Sequence, residues 1–193
     1  NVARFSVLIP VLNGAEHLGD ALGSIAAQTL PDVRVVVSDN ASTDATPDLL
    51  RSWKDRLDLH VIRQPKTLPM QAHFNALLGQ VQTERYMLLC HDDYLARPDA
   101  LQLADQALDE SPDVPAVYCN LAYVNAAKRP LSTRHFPRGR RFSAEEAGRE
   151  TLRTGRNMFG IPLGVRRSAL GALRYDPTFH YAMDVDLSWA MAR

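Results

Sequence analysis

The sequence predicts an α/β fold in which a mostly parallel central sheet is covered by helices on both faces. Two observations support this prediction. Short β-rich runs alternate with helical patterns over the first 110 residues, and such alternation is typical of parallel strands joined by right-handed helical crossovers. The first run, 5–9, is continuously apolar and stops at Pro10, as expected for a strand that is covered on both faces.

The other elements of the first half follow in alternating order. Further strands are predicted at 33–37, 59–62 and 86–90, with helices near 43–53, 70–81 and 98–108 between and after them. The first helix is predicted because apolar residues recur on one helical face, at Leu18, Ala21, Leu22, Ile25 and Ala26.

The second half of the chain has a different pattern. Residues 116–124 are β-rich but interrupted by polar residues, and residues 155–164 are punctuated by glycine. We therefore expect a single domain over 1–193, with an alternating α/β half at 1–110 and a β-rich, loop-rich half at 111–193.

Helix ends are marked by capping residues. Ser42 or Thr43 is predicted to cap the second helix, because their hydroxyls can accept a bond from a free backbone N–H. Ser143 and Glu146 have the spacing of a capping box, which predicts a helix to about residue 153. A last helix is predicted from near Asp184.

Composition excludes several classes of protein. The chain has 193 residues, and its 22 Lys and Arg balance 22 Asp and Glu, so the formal net charge is zero. A dedicated nucleic-acid-binding protein normally carries a basic excess, and so we expect no nucleic-acid partner. No apolar run approaches the ~20 residues that span a bilayer. Cys90 and Cys119 lie in apolar runs and are predicted to be buried, reduced thiols, which favours a reducing compartment.

Polar side chains follow three of the predicted strands where each ends. They lie at 10–13, 39–40 and 91–93. Ligands of open α/β sheets bind beyond the carboxyl ends of the strands, so we expect these clusters at one rim. The adjacent carboxylates of Asp92 and Asp93 are hard oxygen ligands that suit Mg²⁺ or Mn²⁺, with phosphates completing the shell. The alternative is a solvated turn, and the position directly after a buried strand favours the metal.

Asp39 also has two interpretations. It could be part of a turn that leads into the second helix. Because Ser42 or Thr43 is the predicted cap of that helix, we instead expect Asp39 to be free to accept a hydrogen bond from a ligand N–H, such as the imide of uracil or thymine. His91 is predicted to shape the loop around the aspartate pair, although a role as a metal ligand stays open.

Several segments of the sequence, in this order and at this spacing, closely resemble the family 2 glycosyltransferases. They are 6–13 (SVLIPVLN), 39–44 (DNASTD), 88–93 (LLCHDD) with Pro98 behind it, and the acceptor-side segments 160–167 and 184–187. The resemblance covers nearly the whole chain and extends to bacterial surface-polysaccharide enzymes. It implies the Rossmann-like GT-A fold of these inverting enzymes, with a nucleotide-sugar-binding half at 1–110 and an acceptor-binding half at 111–193.

The resemblance implies a role for each matching residue. The residues implied to bind the donor nucleotide sugar are Pro10, Leu12, Asn13, Glu16, Asp39, Asn75 and Asp92. Asp92 and Asp93 stand where the family has its DXD-type motif, with Asp92 facing the ribose or sugar and Asp93 binding Mn²⁺ or Mg²⁺. Asp184 matches the catalytic base, and Asp186 supports the same helix end.

The implied activity is a metal-dependent, inverting transfer of a sugar from a UDP- or dTDP-sugar to a hydroxyl of a saccharide or lipid-linked saccharide. A cytoplasmic location is expected, with peripheral association at the inner face of a membrane as an option. The basic run at 134–141 could close over the donor diphosphate or meet an anionic lipid carrier. That run is otherwise a solvated face. His135 and His180 are interpreted as surface histidines, and the sequence does not predict an oligomeric state.

Some positions depart from the family pattern. Residues 67–70 replace a glycine-containing loop, Met183 replaces a glutamate beside the base, and Tyr94 follows the aspartate pair where a further acid is common. The chain is also short for the family, and we expect its C-terminal part to be incomplete. Two alternatives therefore stay open, namely a non-catalytic domain that binds nucleotide sugars or glycans, and a nucleotidyltransferase.

Overall fold

A computed structural model describes residues 3–136, 139–154, 161–178, 187, 190 and 191. The strands are β1 (Phe5–Val11), β2 (Val33–Asp39), β3 (Asp58–Arg63), β4 (Arg85–Leu88), β5 (Ala116–Tyr118), β6 (Leu121–Val124), β7 (Pro130–Arg134) and β8 (Pro162–Arg166). The helices are α1 (Leu18–Ala26), α2 (Thr46–Ser52), α3 (Met70–Leu78), α4 (Ala100–Glu110), α5 (Ala144–Thr154) and α6 (Arg167–Leu170).

The central sheet has six strands in the order β3-β2-β1-β4-β8-β5. Strands β1 to β4 are mutually parallel, whereas β8 runs antiparallel to both β4 and β5. Strands β6 and β7 form a separate antiparallel pair. The predicted mostly parallel sheet is therefore confirmed, and the β-rich run 116–124 is divided between two sheets.

Strand β8 was not predicted, because Gly164 interrupts its apolar pattern. A Cβ atom at this position would lie 3.3 Å from side chains of Ala104, Leu108 and Val117. The glycine thus lets α4 and β5 pack closely against β8. A residue that weakens the strand pattern is what makes the local packing fit.

Helices cover both faces of the sheet, as expected. Alternate residues of β1 point to opposite sides, so that Val7 and Ile9 join one buried cluster and Leu8 joins the other. The first cluster includes residues of α1, α2 and α4, and the second includes residues of α3. Leu187 is 4% exposed in the second cluster, so the end of the chain returns to the α3 face.

Buried charge fixes β4 to α4 at the end of the sheet opposite the predicted site. Arg85 is 1% exposed and donates hydrogen bonds to the carboxylates of Asp105 and Asp109. Arg4 also donates to Asp109, at 2.5 Å between Nη2 and Oδ1. These bonds from Arg85 and Arg4 lower the pKa of Asp109 to about 2.

Several local predictions can be compared directly with the structure. The capping box of α5 is confirmed, since the Glu146 N–H donates to Ser143 Oγ and the Ser143 N–H to Glu146 Oε2. Cys90 and Cys119, which both lie among the described residues, form no disulfide bond, and they are half-buried and not fully buried. For Cys90 the reason is that β4 ends at Leu88, two residues before it. None of the helices described is both long and apolar enough to cross a membrane.

Candidate active site

The carboxyl ends of β1, β2 and β4 lie side by side, so the loops that follow them share one rim of the sheet. Backbone bonds continue the ladders past the strand ends, from the Asn40 N–H to the Val11 carbonyl (2.8 Å) and from the Leu89 N–H to the Leu8 carbonyl (2.9 Å). The three polar clusters predicted for this rim, which follow these strands, therefore meet there.

The loops after β1 and β2 are joined by hydrogen bonds. The backbone N–H of Asn13 donates to Ser42 Oγ at 2.9 Å, and that of Gly14 donates to Thr46 Oγ1 at 2.9 Å. In the other direction, the Thr43 N–H donates to Asn13 Oδ1 at 2.8 Å. Asn13 adopts the left-handed conformation, with φ of 52°, which asparagine tolerates better than most residues. The two loops thus form one unit, and the Asn13 side chain stabilises it.

The prediction that Ser42 or Thr43 caps α2 is wrong. The helix begins at Thr46, with Ala45 at the capping position and no side-chain cap bond. The Ser42 hydroxyl is instead used by the β1 loop. Asp44 accepts a bond from the Thr46 N–H at 2.9 Å, and its bonds with Thr46 lower the pKa of its carboxyl group.

The carboxylate of Asp39 is already hydrogen-bonded by its own loop and by Arg63. This corrects the expectation that a cap at Ser42 or Thr43 leaves Asp39 free. Its side chain is 1% exposed. Oδ1 accepts from the Ser42 N–H at 2.8 Å, and Oδ2 accepts from the Arg63 guanidinium. A carboxylate offers about four acceptor positions, and these two bonds use two of them. Asp39 thus holds its own loop whether or not it also binds a ligand.

Arg63 was missed by sequence reasoning. It is the last residue of β3 and pairs in register with Asp39 of β2. Besides its contact with Asp39, it donates from Nη2 to the Ser42 carbonyl at 2.7 Å. Its side chain remains 49% exposed, so it brings a cation to the mouth of the site. The available signal for Arg63 was that a charged residue directly follows the third predicted strand, where ligands of such sheets bind.

The other donor residues predicted from the sequence are placed differently along the rim. Pro10 is buried within β1, whereas Leu12 is 41% exposed just beyond it. Glu16 is exposed, with its carboxylate 4.0 Å from His17 Nε2 at the start of α1. Leu12 therefore offers an apolar surface at the rim and Glu16 a solvated charge beside it.

The loop that replaces the family's glycine-containing segment is held by an asparagine. The side chain of Asn40 donates to the Leu68 carbonyl at 3.0 Å and accepts from the Leu68 N–H at 2.8 Å. These paired bonds act as one rung of a β ladder and fix residues 64–69 beside the β2 loop. The departure at 67–70 is thus compatible with an ordered rim.

Asn75, which is predicted to bind the donor, forms hydrogen bonds to the second half of the chain. Its side-chain amide donates to the Tyr175 carbonyl at 2.9 Å, and its Oδ1 accepts from the Tyr175 N–H at 2.8 Å. Both polar groups of the side chain are thereby used, and the neighbouring rings of Phe74 and Tyr175 meet edge to face with centroids 5.7 Å apart. The Asn75 side chain therefore links α3 to the second half of the chain.

The aspartate pair lies in a tight turn directly after β4. The Asp93 N–H donates to the Cys90 carbonyl at 3.1 Å and closes the turn. One ligand atom each from Cys90, Asp92 and Asp93 lies within 4.8 Å of the others. Burial and the neighbouring charge of Asp92 raise the pKa of Asp93, while His91 opposes this shift. A divalent cation would relieve the repulsion between the two carboxylates, so the residues present fit a metal.

His91 packs against the β1 loop. A Cβ atom at Gly14 would lie only 2.5 Å from His91 Cδ2 and 2.5 Å from Val11 Cγ2. The predicted loop-shaping role of His91 therefore has a structural basis. On the other side of the turn, Lys128 from the β6–β7 hairpin lies 5.8 Å above the Tyr94 ring and donates to Asp20 at 2.6 Å.

The residues predicted for the catalytic base, Asp184 and Asp186, lie outside the described residues, as do Met183 and His180. The arginines of the basic run are described in part. Arg140 stacks on Phe142, and Arg141 donates to Asp113 at 2.7 Å. These two arginines thus contact their own neighbours, as on a solvated face.

Comparison with known proteins identifies the family. The family model described as "Glycosyl transferase family 2" matches residues 6–174. The chain belongs to this family.

Relatives of the chain are bacterial glycosyltransferases. Validoxylamine A glucosyltransferase from Streptomyces hygroscopicus subsp. jinggangensis is 47% identical over 66 residues, which are 33% of this chain and 16% of the relative. The poly(ribitol-phosphate) beta-N-acetylglucosaminyltransferase TarS from Staphylococcus aureus is 29% identical over 110 residues, which are 55% of this chain and 19% of TarS. The chain thus spans less than a fifth of the length of these curated relatives.

Solved structures confirm the GT-A type of α/β fold. S. aureus TarS 1–349 in complex with UDP-GlcNAc superposes with a TM-score of 0.79 at 20% identity, covering 98% of this chain and 53% of that chain. The mannosyltransferase PcManGT from Pyrobaculum calidifontis, in complex with GDP-Man and Mn²⁺, superposes with a TM-score of 0.56 at 29% identity, covering 62% and 36%.

Proposed function

We propose that this chain transfers a sugar from a UDP- or dTDP-sugar to a saccharide or lipid-linked saccharide hydroxyl, with inversion and with Mn²⁺ or Mg²⁺. The observation that carries the proposal is the meeting of three strand-end loops, one of which holds Cys90, Asp92 and Asp93 within 4.8 Å of each other. The neighbour with GDP-Man and Mn²⁺ supports a divalent ion, and the TarS complex with UDP-GlcNAc supports a uridine donor.

The nucleotide is assigned to the surface formed by the β1 and β2 loops. Leu12 would contact a face of the pyrimidine, and Asp39 would accept its N–H at an oxygen that keeps spare acceptor positions. Arg63 holds that carboxylate in place through its guanidinium group. Asn13 contributes indirectly, by fixing the two loops together.

The diphosphate is assigned to the turn after β4. A bound divalent ion supplies Lewis-acid stabilisation of the charge that develops on the leaving group. Asp93 and Asp92 would hold this ion, and Asp92 would also face the ribose or sugar. Because their carboxylates repel each other in its absence, we expect these residues to bind metal and donor together.

The acceptor hydroxyl must lose its proton as it attacks, and we propose Asp184 as the base, with Asp186 supporting the same helix end. Attack and departure occur on opposite faces of the anomeric carbon in a single displacement, so base and diphosphate must lie on opposite sides of the sugar.

The proposal is tested by measuring nucleoside diphosphate release from a panel of UDP-, dTDP- and GDP-sugars, with Mn²⁺, with Mg²⁺ and with chelator. We expect release from a uridine or thymidine donor only with metal. Asp93→Asn should lower kcat/KM by at least about a hundredfold, since it removes stabilisation of the leaving group. Asp55→Asn is the matched control, because Asp55 is exposed in the turn before β3, at the opposite end of the strands.

Full activity of Asp93→Asn, or equal activity with chelator, would overturn the assignment. Tight donor binding without release on any acceptor would favour a non-catalytic nucleotide-sugar-binding domain. Release of pyrophosphate from a nucleoside triphosphate would instead favour a nucleotidyltransferase.

A further inference from the structure

The turn after β4 contains a thiol as well as two carboxylates. Cys90 is the first residue of this turn and Asp93 the last, and the backbone bond between them brings the two ends together. One ligand atom each from Cys90, Asp92 and Asp93 lies within 4.8 Å of the others. Among the described residues, this is the single group of three such side chains close enough to share an ion.

The separations suit one ion. Metal–sulfur and metal–oxygen distances of about 2.3 and 2.2 Å place two ligands of a tetrahedral metal about 3.7 Å apart. Atoms within 4.8 Å of each other therefore need to approach by at most about 1.1 Å. The Cys90 side chain is half-buried, so its thiol is not sealed inside the core.

We propose that Cys90 is a third protein ligand of the cation held by Asp92 and Asp93, and that it sets the metal preference of the site. A thiolate is a soft ligand that selects Zn²⁺ and other late transition metals, whereas carboxylates alone suit Mg²⁺ and Mn²⁺. The mixed site should thus bind Zn²⁺ and Co²⁺ more tightly than an all-oxygen site and discriminate more strongly against Mg²⁺. This inference rests on the proposed metal site but concerns a residue outside the aspartate pair.

The second cysteine provides a matched control. Cys119 is also half-buried, and burial raises the pKa of its thiol group. It lies directly after β5, beside a cavity of about 620 Å³ lined mainly by apolar residues such as Val117 and Phe142. It belongs to no group of metal-ligating side chains in the part of the chain that is described.

Cobalt titration tests the proposal by spectroscopy. Co²⁺ added to the wild-type protein should produce a sulfur-to-cobalt charge-transfer band in the near ultraviolet. Cys119→Ser should keep this band, and Cys90→Ser should lose it. Cys90→Ser should also weaken Zn²⁺ binding by at least about tenfold and change Mg²⁺ binding by less than about twofold.

Thiol protection tests the same ligand without a variant. Zn²⁺ should slow the alkylation of Cys90 in the wild-type protein, measured by mass spectrometry, and leave the alkylation of Cys119 unchanged. Cobalt binding without the charge-transfer band, or equal alkylation of Cys90 with and without Zn²⁺, would overturn the inference. If metal-dependent nucleoside diphosphate release persists in that case, the proposed function stands and only the thiol ligand is excluded.

Discussion

Replacing Gly14 with alanine tests the contact between the β1 loop and the turn that holds the aspartate pair. The new Cβ would lie 2.5 Å from both His91 Cδ2 and Val11 Cγ2, whereas ordinary contact begins at 3.4 Å. Relieving the His91 contact requires the turn around His91 to move by about 0.9 Å, and relieving the Val11 contact requires a change within the buried strand β1. A misplacement of about 1 Å in a catalytic site can cost on the order of a hundredfold in rate.

We therefore expect Gly14→Ala to lower kcat/KM for nucleoside diphosphate release by ten- to a hundredfold, roughly. Overpacking should also destabilise the fold by about 1–3 kcal/mol, measured by urea unfolding. Gly19→Ala is the control, because a Cβ there meets nothing within 4 Å and alanine favours the α1 helix. If Gly14→Ala keeps the kcat/KM of Gly19→Ala, the turn is not held by this contact and the reasoning fails.

Two further predictions concern stability. Asn75→Ala removes two half-buried bonds to Tyr175 and should lower the free energy of unfolding by about 2 kcal/mol; a change below about 0.5 kcal/mol would contradict it. Burial lowers the pKa of His73 in the folded state, whereas the unfolded chain takes up the proton near its usual pKa of about 6.5. The contribution of His73 to the free energy of unfolding should thus be fully present above that pH and be lost as the pH decreases toward the folded pKa. Urea midpoints measured at pH values on either side of about 6.5 should therefore shift less in His73→Gln than in wild type. Equal shifts would exclude this explanation.

Much of the fold could be predicted because hydrophobic pattern reports directly on burial. The continuous apolar run at 5–9 and the spacing of Leu18, Leu22 and Ile25 depend on local sequence alone. Strand β8 could not be predicted in this way, since Gly164 is explained by how closely α4 and β5 approach it. Packing between elements that are distant in the sequence explains why glycine occupies this position.

The candidate site could likewise be predicted only in part. The positions of Asp39 and Asp93 at strand ends follow from the general geometry of parallel sheets. The pairing of Asp39 with Arg63 depends on the register between β2 and β3, and no pattern within either segment contains it. The wrong cap at Ser42 has a similar origin, because its hydroxyl is used by the backbone of Asn13, 29 residues earlier in the chain.

The proposed metal-dependent donor site is tested most directly by calorimetric titration of UDP into the protein with and without Mn²⁺. The wild type should bind UDP at least about tenfold more tightly with Mn²⁺, a difference of ~1.4 kcal/mol. Asp93→Asn should bind UDP with the same affinity in both conditions. Equal affinity of the wild type with and without Mn²⁺, or a full Mn²⁺ effect in Asp93→Asn, would contradict the assignment of this rim to a metal-bound nucleotide sugar.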